Sequence, residues 1–192
     1  MKDKKEKKKW GLIVFIVLIM IGTTFSVVFF GFSGADEKVK YNDVTFVRLP
    51  DRWEAKINGM QAAFSFLPSE VENVLASDDF SKILSNKIEI DATSEFNSTY
   101  RESIGLAQYQ MGLTLEQYNI FLRKGFTANT TFGLPIINCK DSTENIPVIY
   151  FTHGNLTKIH VENNCVIAES PSNADFIKVK DRLLYGILGV MK

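Results

Sequence analysis

Cysteine, histidine and tryptophan are the scarce residues of this 192-residue chain, two of each, and proline occurs five times. His153 and His160 are separated along the chain from Cys139 and from each other, so no close pair of zinc-ligand spacing exists. The two cysteines form no C-x-x-C unit, and neither opens an obvious helix that would lower its pKa, which argues against redox catalysis. There is no G-x-S-x-G elbow and no P-loop, so the motif-bearing serine hydrolases and nucleotide hydrolases are excluded. The acidic residues are scattered; Asp78-Asp79 reads as solvated charge at a helix end, and Glu89 with Asp91 as one polar strand face. No metal site and no cofactor is implied.

Net charge is also lacking: 22 basic and 22 acidic side chains cancel. Their layout is uneven. Six lysines against Asp3 and Glu6 make residues 1–9 a basic stub of charge +4, and residues 10–32 carry no charge. Residues 33–192 hold 16 of the basic and 20 of the acidic groups, a net of −4, without the positive footprint that nucleic acid requires.

What the chain does have is one long hydrophobic run, WGLIVFIVLIMIGTTFSVVFFGF over residues 10–32. At ~1.5 Å per residue it would extend roughly 34 Å as a helix, enough for a hydrocarbon layer of ~30 Å. The expectation is a transmembrane helix acting as a signal-anchor. The lysines before it hold the N-terminus in the cytoplasm and put the remainder outside, a single-pass topology in the cell membrane. Ser33-Gly34-Ala35 also offers a cleavage site of signal-peptide type, but the run is longer than the ~7–15 residues usual there. The boundaries expected are a basic cytoplasmic stub (1–9), the membrane helix (10–32), a tether (33–40) and an extracytoplasmic domain (41–192).

Within that domain, Val44–Leu49 and Trp53–Ile57 read as strands. Asn58-Gly59 signals a hairpin returning through Met60–Leu67. Ser69 with Glu72 forms a capping box, and Phe80, Ile83 and Leu84 mark a second short helix. Ile88–Asp91 alternates as a strand, and the polar residues 92–102 read as a surface loop. Thr114 with Gln117 opens a predicted helix that Gly125 ends, while 104–113 fits helix or strand. Short β-prone runs at Ile136-Ile137, Val148–Phe151, Leu156–Val161 and Val166–Ala168 suggest strands joined by hairpins. An amphipathic helix from Phe176 to Met191, capped by Ser172, closes the chain. The fold class expected is α+β, a small outer domain of antiparallel β-hairpins with a C-terminal amphipathic helix, behind one N-terminal transmembrane helix.

In an oxidising compartment Cys139 and Cys165 would pair as a disulfide, across a hairpin centred on His153-Gly154-Asn155. Asn97, Asn129 and Asn155 each head an N-x-[ST] sequon beside a predicted loop, which makes them candidate acceptors of a glycoprotein. A short basic leader, a long hydrophobic helix and a β-rich head resemble the type IV pilin family. That resemblance implies a cleavage glycine before the hydrophobic stretch and a glutamate near its start. Here Gly11 lies within the run, and Leu12 to Val17 include no acid. The function expected is non-enzymatic: a membrane-anchored domain binding a protein or a cell-envelope component. A surface-attached hydrolase with distant carboxylates and a pilin-like assembly subunit are the alternatives.

Overall fold

The computed structural model describes residues 3–30 and 37–191, with side chains over 10–23 and 37–191. The chain divides into two units, Met1–Glu37 and Lys38–Lys192. The first is a helix, α1 (Asp3–Phe30). Its described side chains, Trp10 to Thr23, are all exposed.

Among the described residues no helix is long and apolar enough to cross a membrane. The transmembrane helix over 10–32, the signal-anchor, the single-pass topology and the membrane as partner lose their support together. The stub's side chains and residues 31–36 of the run and tether lie outside the described residues.

The second unit is an α+β domain with two sheets. The first is an antiparallel meander of β1 (Lys38–Tyr41), β2 (Val44–Arg48), β3 (Trp53–Ile57) and β4 (Met60–Phe64). The tether expected up to residue 40 is therefore strand from Lys38 onward. Trp53, Ala55 and Ile57 alternate inward, paired with Phe64, Ala62 and Met60. Asn58 and Gly59 both have positive φ (50° and 86°), the turn that the sequence signals.

The chain then passes a 3-10 turn at Pro68–Glu70, a short strand β5 (Leu75–Ala76) and a helix α2 (Asp79–Leu84). In the turn, Leu67 N donates to Glu70 Oε2 at 2.7 Å, so Glu70 caps where Glu72 was expected.

The second sheet corrects the hairpin picture. Its strands are β6 (Glu89–Ser94), β7 (Phe121–Phe126), β8 (Val148–His153), β9 (Lys158–Glu162) and β10 (Cys165–Ser170), joined by β5 in the order β5-β9-β10-β8-β6-β7. β7, β6, β8 and β10 run parallel to their neighbours, and only β9–β10 is an antiparallel hairpin. Asn163 and Asn164, both at positive φ, make its turn. Parallel strands are covered on both faces, so they read as continuous apolar runs rather than alternation. From Ile90 to Ser94 every side chain of β6 is buried, including Ala92, Thr93 and Ser94, which the sequence suggests as surface loop.

Between β6 and β7 runs α3 (Arg101–Glu116), the crossover that parallel strands need. It ends where Thr114 and Gln117 suggested a helix would begin. Gly125 ends no helix. It sits in β7, where a Cβ would lie 2.6 Å from the Pro135 carbonyl oxygen, and the returning chain bonds there through Phe126 N to Pro135 O.

The last helix, α4 (Asn173–Ile187), begins as expected at Ser172, whose Oγ accepts from Asp175 N. Tyr185 stacks on Phe64 at 4.4 Å between ring centres and meets Phe46 edge-on, so α4 shares one core with both sheets. On the opposite face of the larger sheet, Ile137, Val148, Cys165 and Ile167 form a small second cluster beneath the segment leading to β8.

Candidate functional site

Two clefts of the domain flank α3. One, of about 530 Å³, lies between α3 and the β4 end of the meander. The walls come from opposite sides: Ala63 and Ser65 at the end of β4, and Tyr109, Gln110, Leu113 and Thr114 from α3. Thr114 Oγ1 donates to Ala63 O at 3.2 Å and holds the two walls together. Tyr109 and Leu113 are 54% and 48% exposed, an apolar side wall in a mostly polar opening.

The floor is supplied by α4. Lys180 lines the cleft and yet is only 2% exposed. Its Nζ lies 2.5 Å from Asp181 Oδ1 and 3.4 Å from Ser65 Oγ. Asp181 is fully buried, and its Oδ2 accepts from the backbone amides of Ser65 and Phe66 at 2.9 Å each. Burial pushes the Asp181 carboxyl upward, against the pull of Lys180 and of those two amides. One turn on, Tyr185 donates to Phe66 O at 2.6 Å, with burial raising its phenol. Ser65 and Phe66 are thus pinned by α4 through main chain and side chain.

At the rim, Arg52 bonds both Asp51 (3.2 Å) and Glu54 (2.8 Å), and Gln61 donates to Glu54 Oε2. Both rim carboxylates are therefore held by one guanidinium. Glu89 and Asp91 lie elsewhere, on β6, where Arg123 binds Asp91 through Nε and one terminal nitrogen at 2.7 Å each. No pair of carboxylates free for acid–base work converges on the cleft, and the surface-attached hydrolase has no support.

The residues singled out in the sequence lie away from this cleft. The sulfurs of Cys139 and Cys165 are 2.13 Å apart, with Cα atoms at 5.2 Å. The path that brings them together differs from the hairpin expected. Cys165 opens β10 opposite Val148 at the start of parallel β8, and Cys139 arrives in a 3-10 turn, Cys139–Asp141, that packs at that end. β8 and β9 are not neighbours, so no hairpin forms around Gly154. Asn97, Asn129 and Asn155 are exposed and outside strands and helices. His153 stacks on Tyr100 at 5.3 Å, while His160 Nε2 lies 3.1 Å from Glu162. Among the described residues no group of three His, Cys, Asp or Glu side chains is placed to hold a metal ion.

Sequence reasoning missed Lys180 and Asp181, which lie within the amphipathic helix expected from Phe176 to Met191. The signal available was three consecutive charged residues, 180–182, set between Val179 and Leu183 of the apolar stripe. Compared with known proteins, the chain matches no family model, and no curated protein or solved structure matches it. The type IV pilin resemblance therefore gains no support, and neither does the membrane-anchored binding domain.

Proposed function

We propose that the domain is a non-catalytic binding module that takes a small polar ligand into the cleft between β4 and α3. The observation that carries this reading is Lys180. A buried ammonium is costly to desolvate and is rarely retained without a partner or a task. Here its charge is balanced by Asp181, while the residue still borders an opening large enough for a small molecule. Amide, hydroxyl and ammonium groups line the polar side, and Tyr109 with Leu113 gives an apolar wall, the mixture that small-ligand sites use for orientation and contact area.

The test is a ligand-observed NMR screen of the full chain against small polar compounds. Gln61→Trp, an exposed rim position, narrows the mouth without touching the core. Compounds that bind the natural chain and fail to bind the variant support the reading. A screen without binders, or binders indifferent to the substitution, would refute it.

A further inference from the structure

Among the described residues, the larger sheet ends in an edge that no strand covers over its first half. β7 is the last strand, with β6 on its inner side. In a parallel ladder the backbone groups of alternate residues turn to the same neighbour. Phe121 N donates to Ile88 O and Thr127 N to Ser94 O, so the odd-numbered residues serve β6. The even-numbered ones, Leu122, Lys124 and Phe126, turn their N–H and C=O outward. Phe126 is occupied: its N donates to Pro135 O, and its O accepts from Ile137 N. Continuing that ladder backward would require Pro135 to donate to Lys124 O, and proline has no N–H. Leu122 and Lys124 are thus left without an outer strand.

The side chains of the same two residues face α3. A Cβ at Gly112 would touch Leu122 Cδ2 at 3.7 Å, and Lys124 Nζ stands over the Tyr109 ring, 5.8 Å from its centre. Between strand and helix lies the second cleft, of about 470 Å³, with Leu113, Ile120 and Phe121 adding to its apolar lining. Free backbone and apolar cleft therefore lie side by side. Strand-addition sites use that combination, with main-chain bonds for affinity and pockets for alternate side chains.

Charge and space select the occupant. Leu122 meets Gly112 and Lys124 meets Tyr109, so β7 runs back along α3. Glu116 then borders the cleft near the start of the strand and Lys124 near its end. Lys124 makes no ion pair among the described residues. A peptide laid parallel to β7 passes the acid first and reaches the cation last. Its C-terminal carboxylate falls beside Lys124, where Pro135 closes the lane. A second copy does not fit. Antiparallel pairing of two β7 strands about Arg123 would set the guanidinium groups opposite each other and drive Ile120 into residues 135–137 of the copy.

We propose that β7 accepts the C-terminal end of an extended peptide as an added parallel strand. Leu122 N–H and C=O and Lys124 N–H hold its backbone, an apolar side chain enters the cleft against α3, and its terminal carboxylate pairs with Lys124 Nζ. Tyr109 and Leu113 stand between this surface and the β4–α3 cleft, and neither proposal rests on the other.

The full chain would be screened against a synthetic library of random hexapeptides with free C-termini. Enriched peptides would be titrated by protein-observed NMR as acids and as C-terminal amides. The expected result is an apolar side chain enriched near the C-terminus, with the largest shifts at the Leu122 and Lys124 amides. Amidation should weaken binding about threefold to fivefold, the range of an exposed ion pair, and Lys124→Met should abolish that difference. Lys124→Pro also removes the outward N–H, at an edge position where proline is tolerated, and should weaken binding about tenfold with the melting temperature kept. If the proline variant unfolds, Lys124→Met and the amides decide alone. No enriched peptide, or enriched peptides that bind equally well as amides, or binding indifferent to the Lys124 variants, would overturn the proposal.

Discussion

Replacing Lys180 by methionine keeps most of the length of the side chain and removes the cation paired with a fully buried carboxylate. Asp181 would then hold its charge against two backbone amides alone, at 2.9 Å each. Breaking a buried pair from one side typically costs ~3–5 kcal/mol, because the remaining charge is uncompensated. Asp181→Leu should be worse. It strands the ammonium and also leaves the amides of Ser65 and Phe66 unpaired, each at ~1–3 kcal/mol. The double variant, Lys180→Met with Asp181→Leu, leaves neither charge of the pair and loses only the two amide partners. It is expected to be no less stable than Asp181→Leu alone, so the cycle should show a coupling of about 3 kcal/mol. Small domains have ~5–15 kcal/mol in all, so Lys180→Met remains measurable where Asp181→Leu could abolish folding. Urea unfolding followed by tryptophan fluorescence provides the assay, since Trp53 is 6% exposed in the core. A cost below ~1 kcal/mol for Lys180→Met, or single effects that add to within ~0.5 kcal/mol, would refute the argument that this pair is a coupled buried unit.

Pairing of Cys139 with Cys165, separated by 26 residues, is expected to contribute ~3.5 kcal/mol by the chain-entropy estimate, so a reductant should lower the urea midpoint; free thiols at both positions in peptide maps of oxidised protein would count against the bond. Ser172→Ala removes the α4 cap and should cost ~1 kcal/mol. The same substitution bears on Asp175, whose carboxyl is held below the usual range by Lys178 and by the Ser172 hydroxyl. Because that pKa is depressed in the folded state, its stabilisation is present above the unfolded value of ~3.9 and is lost as pH falls through the folded value. NMR titration of Asp175 should show the midpoint moving upward in Ser172→Ala. Gly186→Ala would drive a methyl into the Phe80 ring and should destabilise by ~1–3 kcal/mol, whereas helix propensity alone predicts a gain; thermal unfolding gives the sign.

The meander was legible because its signals are local. Asn58-Gly59 fixes a turn, and Trp53-Ala55-Ile57 alternates against solvent on the other face. The α4 cap at Ser172 is equally local. The larger sheet was not legible in that way. Parallel β6, β8 and β10 are buried on both faces, so Ala92-Thr93-Ser94 reads as a polar loop although all three are buried. Nothing short-range states that β10 lies between β8 and β9. The α3–β7 boundary failed for a related reason. Thr114 and Gln117 resemble a cap, but Thr114 spends its hydroxyl on Ala63, a contact across 51 residues. For the cleft, the sequence contains Lys180 and Asp181 but not the sheet edge that buries them. Their partners, Ser65 and Phe66, lie well over 100 residues earlier.

The strand order also has a consequence in time. β10 (Cys165–Ser170) joins the β5-β9 side of the larger sheet to the β8-β6-β7 side, and α4, which supplies core to both sheets, follows it. A chain emerging from the ribosome can close the β3–β4 hairpin as soon as Phe64 is clear. The larger sheet stays in two parts until residues 165–170 appear, and its helical cover comes later still. Non-local pairing of this kind slows folding and prolongs exposure of unpaired strands. The waiting intermediate would present the free edge of β8, Val148 to His153, which is the segment most in need of protection during synthesis.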